Sequence, residues 1–286
     1  MIVKLATKRG FCFGVEDAIE LTEKALDEYG AGQIVALGPV IHNPQVVQKL
    51  EEAGLNQSGK IDEIEDGSTI LVRSHGASPE LFEQARSKNL EIVDATCILV
   101  KKAQDAVKKL HEEGYQVIMI GDRNHPEVRG VIGYAPNVIV LDSVEELDEK
   151  LPHREKLGIV AQTTHSPEHV GEIIGAIAQR PFQELKIVNT LCLEVVRRQE
   201  AAIELCKEVD VMFVLGGLHS ANTCELARLC RNCGVETHHV ETWEQFAPQM
   251  VVGKKAAGVT AGASTPEWTI ENFVSRLRAF DAPGCP

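Results

Sequence analysis

Arg9-Gly10-Phe11-Cys12-Phe13-Gly14-Val15 is the stretch whose reading decides the fold. The apolar run before it, Ile2-Val3-Lys4-Leu5-Ala6, reads as a short strand. After it, Val15, Ala18, Ile19, Thr22, Ala25 and Leu26 fall at three- and four-residue steps, the period of a helix. Cys12 therefore sits in a glycine-flanked turn between a strand and a helix. A helix N-terminus presents free N–H groups and a partial positive charge, surroundings that favour a thiolate. For one such cysteine alone, a buried small hydrophobe is an equal alternative.

The same join recurs twice. Asp94-Ala95-Thr96-Cys97 follows the apolar run ending at Val93 and precedes a helical pattern from Val100 to Leu110. Asn189-Thr190-Leu191-Cys192 follows Leu185 to Val188 and precedes another. The cysteines are 85 and 95 residues apart, and the strand-ending glycines Gly38, Gly121 and Gly216 follow them by 26, 24 and 24 residues. Ser78-Pro79-Glu80, Ser166-Pro167-Glu168 and Thr265-Pro266-Glu267 then supply three helix starts in phase, each with a capping residue, a proline and an acid near the dipole. Three registers in phase predict a threefold internal repeat with one cysteine per unit.

Strand-like and helical stretches alternate from end to end, which predicts parallel sheets covered by helices. Strands are expected near residues 34–37, 69–72, 116–120, 138–140, 157–161, 209–215, 235–240 and 256–260. Helices are expected over 44–52, 79–88, 144–151, 167–179 and 266–280, with Gly30, Gly54, Gly114 and Gly234 as helix stops. The fold class is α/β: three pseudo-threefold-related lobes, each a small parallel sheet flanked by helices. The expected bounds are 13–96, 97–191 and 192–280, the third lobe taking the N-terminal strand 1–12, with 281–286 as a loose tail.

Composition narrows the function. A chain of 286 residues with 44% hydrophobic content can bury a core, and a net charge of −13 argues against nucleic acid or an anionic membrane as partner. No apolar run approaches the roughly 20 residues that span a bilayer, and no secretory leader is evident, so the expected compartment is the cytoplasm. Eight cysteines in such a chain point to thiols or metal and cluster ligands rather than a disulfide framework.

The polar residues gather at one kind of place. His42, His75, His125 with Glu127, Thr163, Ser220 with Asn222, and Ser264 all fall just past the carboxyl end of an expected strand. Open α/β sheets hold their ligands there. Three lobes presenting those edges to one axis would enclose a central site. Three thiolates at one point suggest a [4Fe–4S] cluster with one iron lacking a protein ligand; a three-thiolate zinc site would usually add a nearby fourth ligand. Histidines, hydroxyls and helix N-termini suit a phosphate group. Glu127, two residues from His125, is the natural proton donor, and Thr163 a hydroxyl able to relay.

These residues carry a resemblance. Gly10 to Val15, Leu37-Gly38-Pro39-Val40-Ile41-His42-Asn43, Arg73-Ser74-His75-Gly76, Asp94-Ala95-Thr96-Cys97, His125-Pro126-Glu127-Val128, Gln162-Thr163-Thr164 and Arg198-Gln199-Glu200-Ala201 together resemble the 4-hydroxy-3-methylbut-2-enyl diphosphate reductases, from about Lys4 to Leu277. The resemblance implies an iron–sulfur oxidoreductase of the methylerythritol phosphate route. Such an enzyme removes its substrate's allylic hydroxyl with two electrons and two protons to give isopentenyl and dimethylallyl diphosphates. It implies that Cys12, Cys97 and Cys192 hold the cluster. His42, His75, Ser220, Asn222 and Ser264 would grip the diphosphate, and His125, Thr163 and Glu127 would serve protonation, with His125 and Thr163 also among the substrate contacts. A ferredoxin or flavodoxin is the implied electron donor.

The chain departs from the family pattern at Ser220-Ala221-Asn222, where two serines commonly precede the asparagine. It departs again at Leu193-Glu194-Val195-Val196, where a small residue and threonines commonly follow the cysteine; a charge at Glu194 is unexpected there. The basic pairs Lys8-Arg9, Lys101-Lys102 and Arg197-Arg198 lie near the three cysteines and are either solvated helix faces or a docking patch for an acidic donor. Cys230-Arg231-Asn232-Cys233, followed by His238 and His239, is superficially zinc-like. Yet Cys230 shares a helix face with Thr223, Leu226 and Ala227, which favours a structural role; Cys206 is expected in the core and Cys285 in the tail. The rival readings are a cluster-dependent dehydratase or synthase, which would need no reductant, and a non-enzymatic zinc or redox-sensing thiol protein.

Overall fold

The computed structural model describes residues 1–151 and 156–280. The expected loose tail and Cys285 lie outside the described residues. Twelve strands are found among them: β1 (Ile2–Leu5), β2 (Ile34–Leu37), β3 (Asn56–Ser58), β4 (Thr69–Val72), β5 (Glu91–Asp94), β6 (Gln116–Ile120), β7 (Ile139–Leu141), β8 (Lys156–Ala161), β9 (Glu184–Ile187), β10 (Val211–Leu215), β11 (Glu236–Val240) and β12 (Ala256–Ala261). They form three four-stranded sheets, ordered β3-β2-β4-β5, β7-β6-β8-β9 and β11-β10-β12-β1, and every pairing is parallel.

The three orders are one topology. In each sheet the first strand lies between the second and the third, and the fourth lies at the edge beyond the third. In the last sheet that fourth strand is β1, drawn from the N-terminus and paired in register Ile2↔Ala256 to Leu5↔Val259. The repeat is thus cyclically permuted, and Cys12, Cys97 and Cys192 follow the three equivalent edge strands β1, β5 and β9.

By its contacts the chain divides into two compact units. One comprises Met1–Val15, Ile41–Val46 and the described chain from Leu193 on, and contains the β11-β10-β12-β1 sheet; the other comprises Glu16–Val40 and Val47–Cys192, and contains the other two sheets. In the first unit, Val211, Phe213 and Leu215 of β10 face a core with Ile270, Phe273 and Leu277, while Met212 and Val214 face Leu205, Leu226 and Cys230. In the second, Val117 and Met119 of β6 face Ala103, Val107 and Leu110, while Ile118 and Ile120 face Ile173 and Ile177. A strand covered on both faces has no solvent side, which is why these read as unbroken apolar runs. Burying side chains such as Phe213 and Phe273 contributes about 1.5–3 kcal/mol each.

Some local expectations shift. β3 is polar throughout and shows no alternation; it forms because it pairs with β2 at an edge, Val35↔Asn56. The expected helix over 144–151 is a 3₁₀ turn, Val144–Glu146, followed by a short helix, Leu147–Lys150. The three in-phase helix starts also differ. Ser166 caps by accepting the His169 N–H at 3.3 Å, Ser78 makes no such bond, and Thr265 turns its hydroxyl to the Leu215 carbonyl at 3.0 Å. Gly54 is a helix stop that only glycine fits: its φ is +103°, and a Cβ there would lie 2.5 Å from that of Ala31.

Candidate active site

Each sheet offers the same three loops, after its first, third and fourth strands. The fourth carries the cysteine, and the third is tied to it. The Cys12 N–H donates to the Ala263 carbonyl at 3.2 Å, that of Cys97 to Ser74 at 3.0 Å, and that of Cys192 to Thr163 at 2.9 Å. The three acceptors are Thr163 itself and the residues next to Ser264 and His75. Asx turns shape two of the loops, Asp94 Oδ1 accepting the Thr96 N–H at 3.0 Å and Asn189 Oδ1 the Leu191 N–H at 3.0 Å. Burial pushes the Asp94 carboxyl up, but Lys101 at 2.7 Å and Thr96 outweigh it and hold it below the usual carboxylate range. None of the three cysteines is in a disulfide.

In the unit holding Cys97 and Cys192, His125 is the N-cap of helix Pro126–Ile132 and its Nδ1 accepts the Glu127 N–H at 3.2 Å. That bond leaves Nε2 as the ring's donor position. The His125 ring meets that of His75 edge-on, centroids 5.5 Å apart. Glu127 is only 2% exposed, and it binds Thr163 twice: Oε1 accepts the backbone N–H and Oε2 the hydroxyl, each at 2.7 Å. Burial pushes the Glu127 carboxyl up, against the two Thr163 bonds and the His165 charge, which pull it down. Gln162 ties the loops after β6 and β8 together, its Oε1 accepting the Asp122 N–H at 3.1 Å and its Nε2 donating to Thr164 at 3.1 Å.

In the other unit, Ser220 caps helix Ala221–Asn232, accepting the Thr223 N–H, and Asn222 follows in its first turn. Both amide atoms of the buried Asn222 lack a hydrogen-bond partner. The Ser264 hydroxyl donates to the His42 carbonyl at 3.1 Å, and Asn43 Oδ1 accepts the N–H groups of Gln45 and Val46, each at 3.1 Å, starting helix Pro44–Glu52. The backbones approach so closely that a Cβ at Gly217 would lie 2.4 Å from the His42 carbonyl, and one at Gly262 2.1 Å from the Thr223 hydroxyl. A group lying here meets an amide, hydroxyls and helix N-termini, the neutral donors that suit a phosphate oxygen.

Two charged features read differently in three dimensions. Glu194 lies between Arg197 at 3.0 Å and Lys8 at 3.6 Å, so its charge beside Cys192 is compensated. Arg198 is 2% exposed and donates to the Ala261 carbonyl at 3.2 Å, bracing the loop that leads to Ser264. It is no surface residue, and Arg9 and Lys101 are likewise engaged, with Glu267 and Asp94. Of the pair Arg197-Arg198, only Arg197 is therefore at the surface. Arg198, Gln162 and Asn43 stand in the sequence motifs without a role inside the site, yet they brace its loops; a polar residue inside an apolar helical stripe is the available signal for Arg198. Cys230 is fully buried among Leu226, Ala227 and Cys206, as its helix face implied, while Cys233 is exposed.

Comparison with known proteins places this arrangement in a family. Residues 3–278 match the family described as LytB protein. The chain is 46% identical over 281 residues to the 4-hydroxy-3-methylbut-2-enyl diphosphate reductase of Citrifermentans bemidjiense, covering 98% of each chain. It is 43% identical over 278 residues to the reductase of that name from Aquifex aeolicus, covering 96% of this chain and 95% of that one. Among solved structures, it matches (E)-4-hydroxy-3-methyl-but-2-enyl diphosphate reductase, described as the terminal enzyme of the non-mevalonate pathway. The TM-score is 0.69 at 41% identity, over 98% of this chain and 100% of the other. It also matches the E-1-hydroxy-2-methyl-but-2-enyl-4-diphosphate reductase of Plasmodium falciparum with a TM-score of 0.92 at 28% identity, over 100% and 95%. The chain belongs to the LytB family.

Proposed function

We propose that this chain is a 4-hydroxy-3-methylbut-2-enyl diphosphate reductase, which converts its substrate to isopentenyl and dimethylallyl diphosphates. The observation that carries the mechanism is the buried Glu127–Thr163 pair. Two electrons and two protons are consumed: the C–O bond breaks, the hydroxyl leaves as water with one proton, and a C–H bond forms at the allyl carbon with the other. Hydroxide is a poor leaving group, so a proton must be at hand. With Oε1 engaged by the Thr163 backbone N–H, protonated Glu127 carries its proton on Oε2 and donates it to the Thr163 hydroxyl oxygen, the reverse of the bond that the ionised carboxylate accepts. A hydroxyl both donates and accepts, so Thr163 passes that proton onward while Glu127 keeps it in store. His125, its Nδ1 already committed, offers Nε2–H to the substrate.

The donor set fits an iron–sulfur cluster. Cys12, Cys97 and Cys192 lie outside any disulfide in equivalent loops whose backbone is pinned, and no two of them are neighbours in sequence as a local zinc pair would be. When bound, a [4Fe–4S] cluster held by these three supplies the electrons. His42, His75, Ser220, Asn222 and Ser264 bind the diphosphate, the Asn222 amide being buried and unsatisfied until a ligand arrives. The lobe bounds 13–96, 97–191 and 192–280 follow the cysteines in this reading.

The electrons come from a small redox protein, a ferredoxin or flavodoxin. Each cysteine is followed by an apolar residue that stays exposed: Phe13 at 39%, Ile98 at 54% and Leu193 at 65%. Exposed apolar residues in a first helical turn, beside a redox centre, suit a transient contact. Among the described residues no helix is long and apolar enough to cross a membrane.

Anaerobic purification followed by iron and sulfide counts, then turnover with and without a reductant, tests the reading. Iron and sulfide near four each with strictly reductant-dependent turnover is the expected result. Turnover without reductant would replace it by a dehydratase, and zinc on thiolates without iron by a thiol protein.

A further inference from the structure

A second set of ligating side chains lies outside the proposed cluster and substrate residues. Asp142 follows β7 directly, and His165 and His169 follow β8, one just before the Ser166 cap and the other in the first turn of helix Pro167–Ala178. Their donor atoms all lie within 4.8 Å of one another. Asp142 Oδ1 is 3.3 Å from His165 Nε2 and 3.8 Å from His169 Nε2, and the two rings meet edge-on with centroids 5.0 Å apart.

These separations are short enough for the three side chains to share one ion. Ligand atoms at roughly 2.0–2.2 Å from a tetrahedral zinc stand about 3.4 Å from each other. The 3.8 Å contact is too long for a hydrogen bond. At 3.3 Å His165 Nε2 is within reach of the carboxylate and sealed from solvent, yet it makes no aligned hydrogen bond. The backbone holds all three in place: the His165 N–H donates to the Gln162 carbonyl at 3.2 Å, that of His169 to the Ser166 hydroxyl at 3.3 Å, and that of Asp142 to Glu146 Oε2 at 2.8 Å.

We propose that Asp142, His165 and His169 form a divalent-metal site. Two imidazole nitrogens and one carboxylate oxygen select zinc or a similar borderline first-row ion over magnesium or calcium, which prefer all-oxygen shells. The carboxylate is half-exposed, so water fills the remaining positions. His165 lies two residues beyond Thr163, and an ion here anchors the turn that presents the Thr163 hydroxyl to Glu127.

The test is equilibrium dialysis of the anaerobically purified holoprotein against buffered zinc up to about 0.1 mM, which fills any site of micromolar Kd. Zinc and iron are then counted per chain in the wild type, in Asp142→Asn and in His169→Gln. The expected result is about one zinc per wild-type chain and at least a ~10²-fold loss of zinc affinity in each variant, with iron unchanged. Zinc should also raise the wild-type melting midpoint and leave those of the variants where they were. No uptake by the wild type, equal uptake by all three proteins, or a loss confined to one variant would overturn the site.

Discussion

Glu127 holds Thr163 at two atoms, the backbone N–H on one carboxyl oxygen and the hydroxyl on the other, each at 2.7 Å. Thr163 in turn accepts the Cys192 N–H on its carbonyl at 2.9 Å. One threonine thereby links the buried carboxyl to a proposed cluster ligand, and its N–H and carbonyl links run through backbone that no side-chain substitution at Thr163 removes.

Glu127→Gln keeps the shape and both contacts to Thr163 but removes the transferable proton. Turnover should fall by about 10²–10⁴, the usual range for a lost general acid, with the iron count and substrate binding retained. Anaerobic turnover with a strong chemical reductant measures it. Near-wild-type turnover would place the proton source elsewhere.

The same group sets a pH dependence. Burial raises the folded-state pKa of Glu127 above that of the unfolded chain. Between the two values the native state binds more protons than the unfolded state, so this group's effect on stability becomes unfavourable as pH rises through that interval. Activity should decline on the alkaline side as Glu127 loses its proton. Glu127→Gln should abolish that part of the urea-midpoint profile; an unchanged profile would refute the assignment.

Cysteine replacements separate ligands from core. Cys12→Ala, Cys97→Ala and Cys192→Ala should each lose most of the iron. Cys230→Ala, in a fully buried position among Leu226, Ala227 and Cys206, should keep it and lose about 1 kcal/mol of stability. A full iron complement without Cys97 would remove it from the ligand set.

Asn222 offers an unusual sign. Its buried amide makes no hydrogen bond in the free protein, and an unsatisfied buried polar group costs about 1–3 kcal/mol. Asn222→Ala should therefore leave the melting midpoint unchanged or raise it, while KM for the diphosphate increases by about tenfold or more. A destabilised variant with normal KM would show that the amide serves the fold.

Ile98→Glu and Leu193→Glu place charge on exposed apolar residues that follow two of the proposed cluster cysteines. Turnover with a ferredoxin or flavodoxin should slow by about tenfold while turnover with a small chemical reductant is spared. Equal losses with both donors would mean that these residues act on the site and not on docking.

Much of this protein is written in its linear pattern. Apolar runs ending in glycine, and three cysteines at strand–helix joins, disclose a parallel α/β repeat because periodicity and turn chemistry are local. Placing His42, Glu127 and Ser264 past strand ends needed only that reading and the rule for ligands of open sheets. Tertiary structure alone decided the rest. That β1 completes the last sheet rests on its pairing with β12, some 250 residues away. Nothing within the segment Asn56–Ser58 marks β3 as a strand; only its neighbour β2 does. Arg198 and Arg197 are adjacent in sequence, yet a helix turns one inward to Ala261 and the other outward to Glu194. Asp142, His165 and His169 share no motif, because a crossover separates β7 from β8 in sequence before the parallel sheet sets their ends on the same side, with β6 between them. Sequence determines what each segment prefers; which distant side chains share a space is decided when sheet pairing and core burial fix the strand ends.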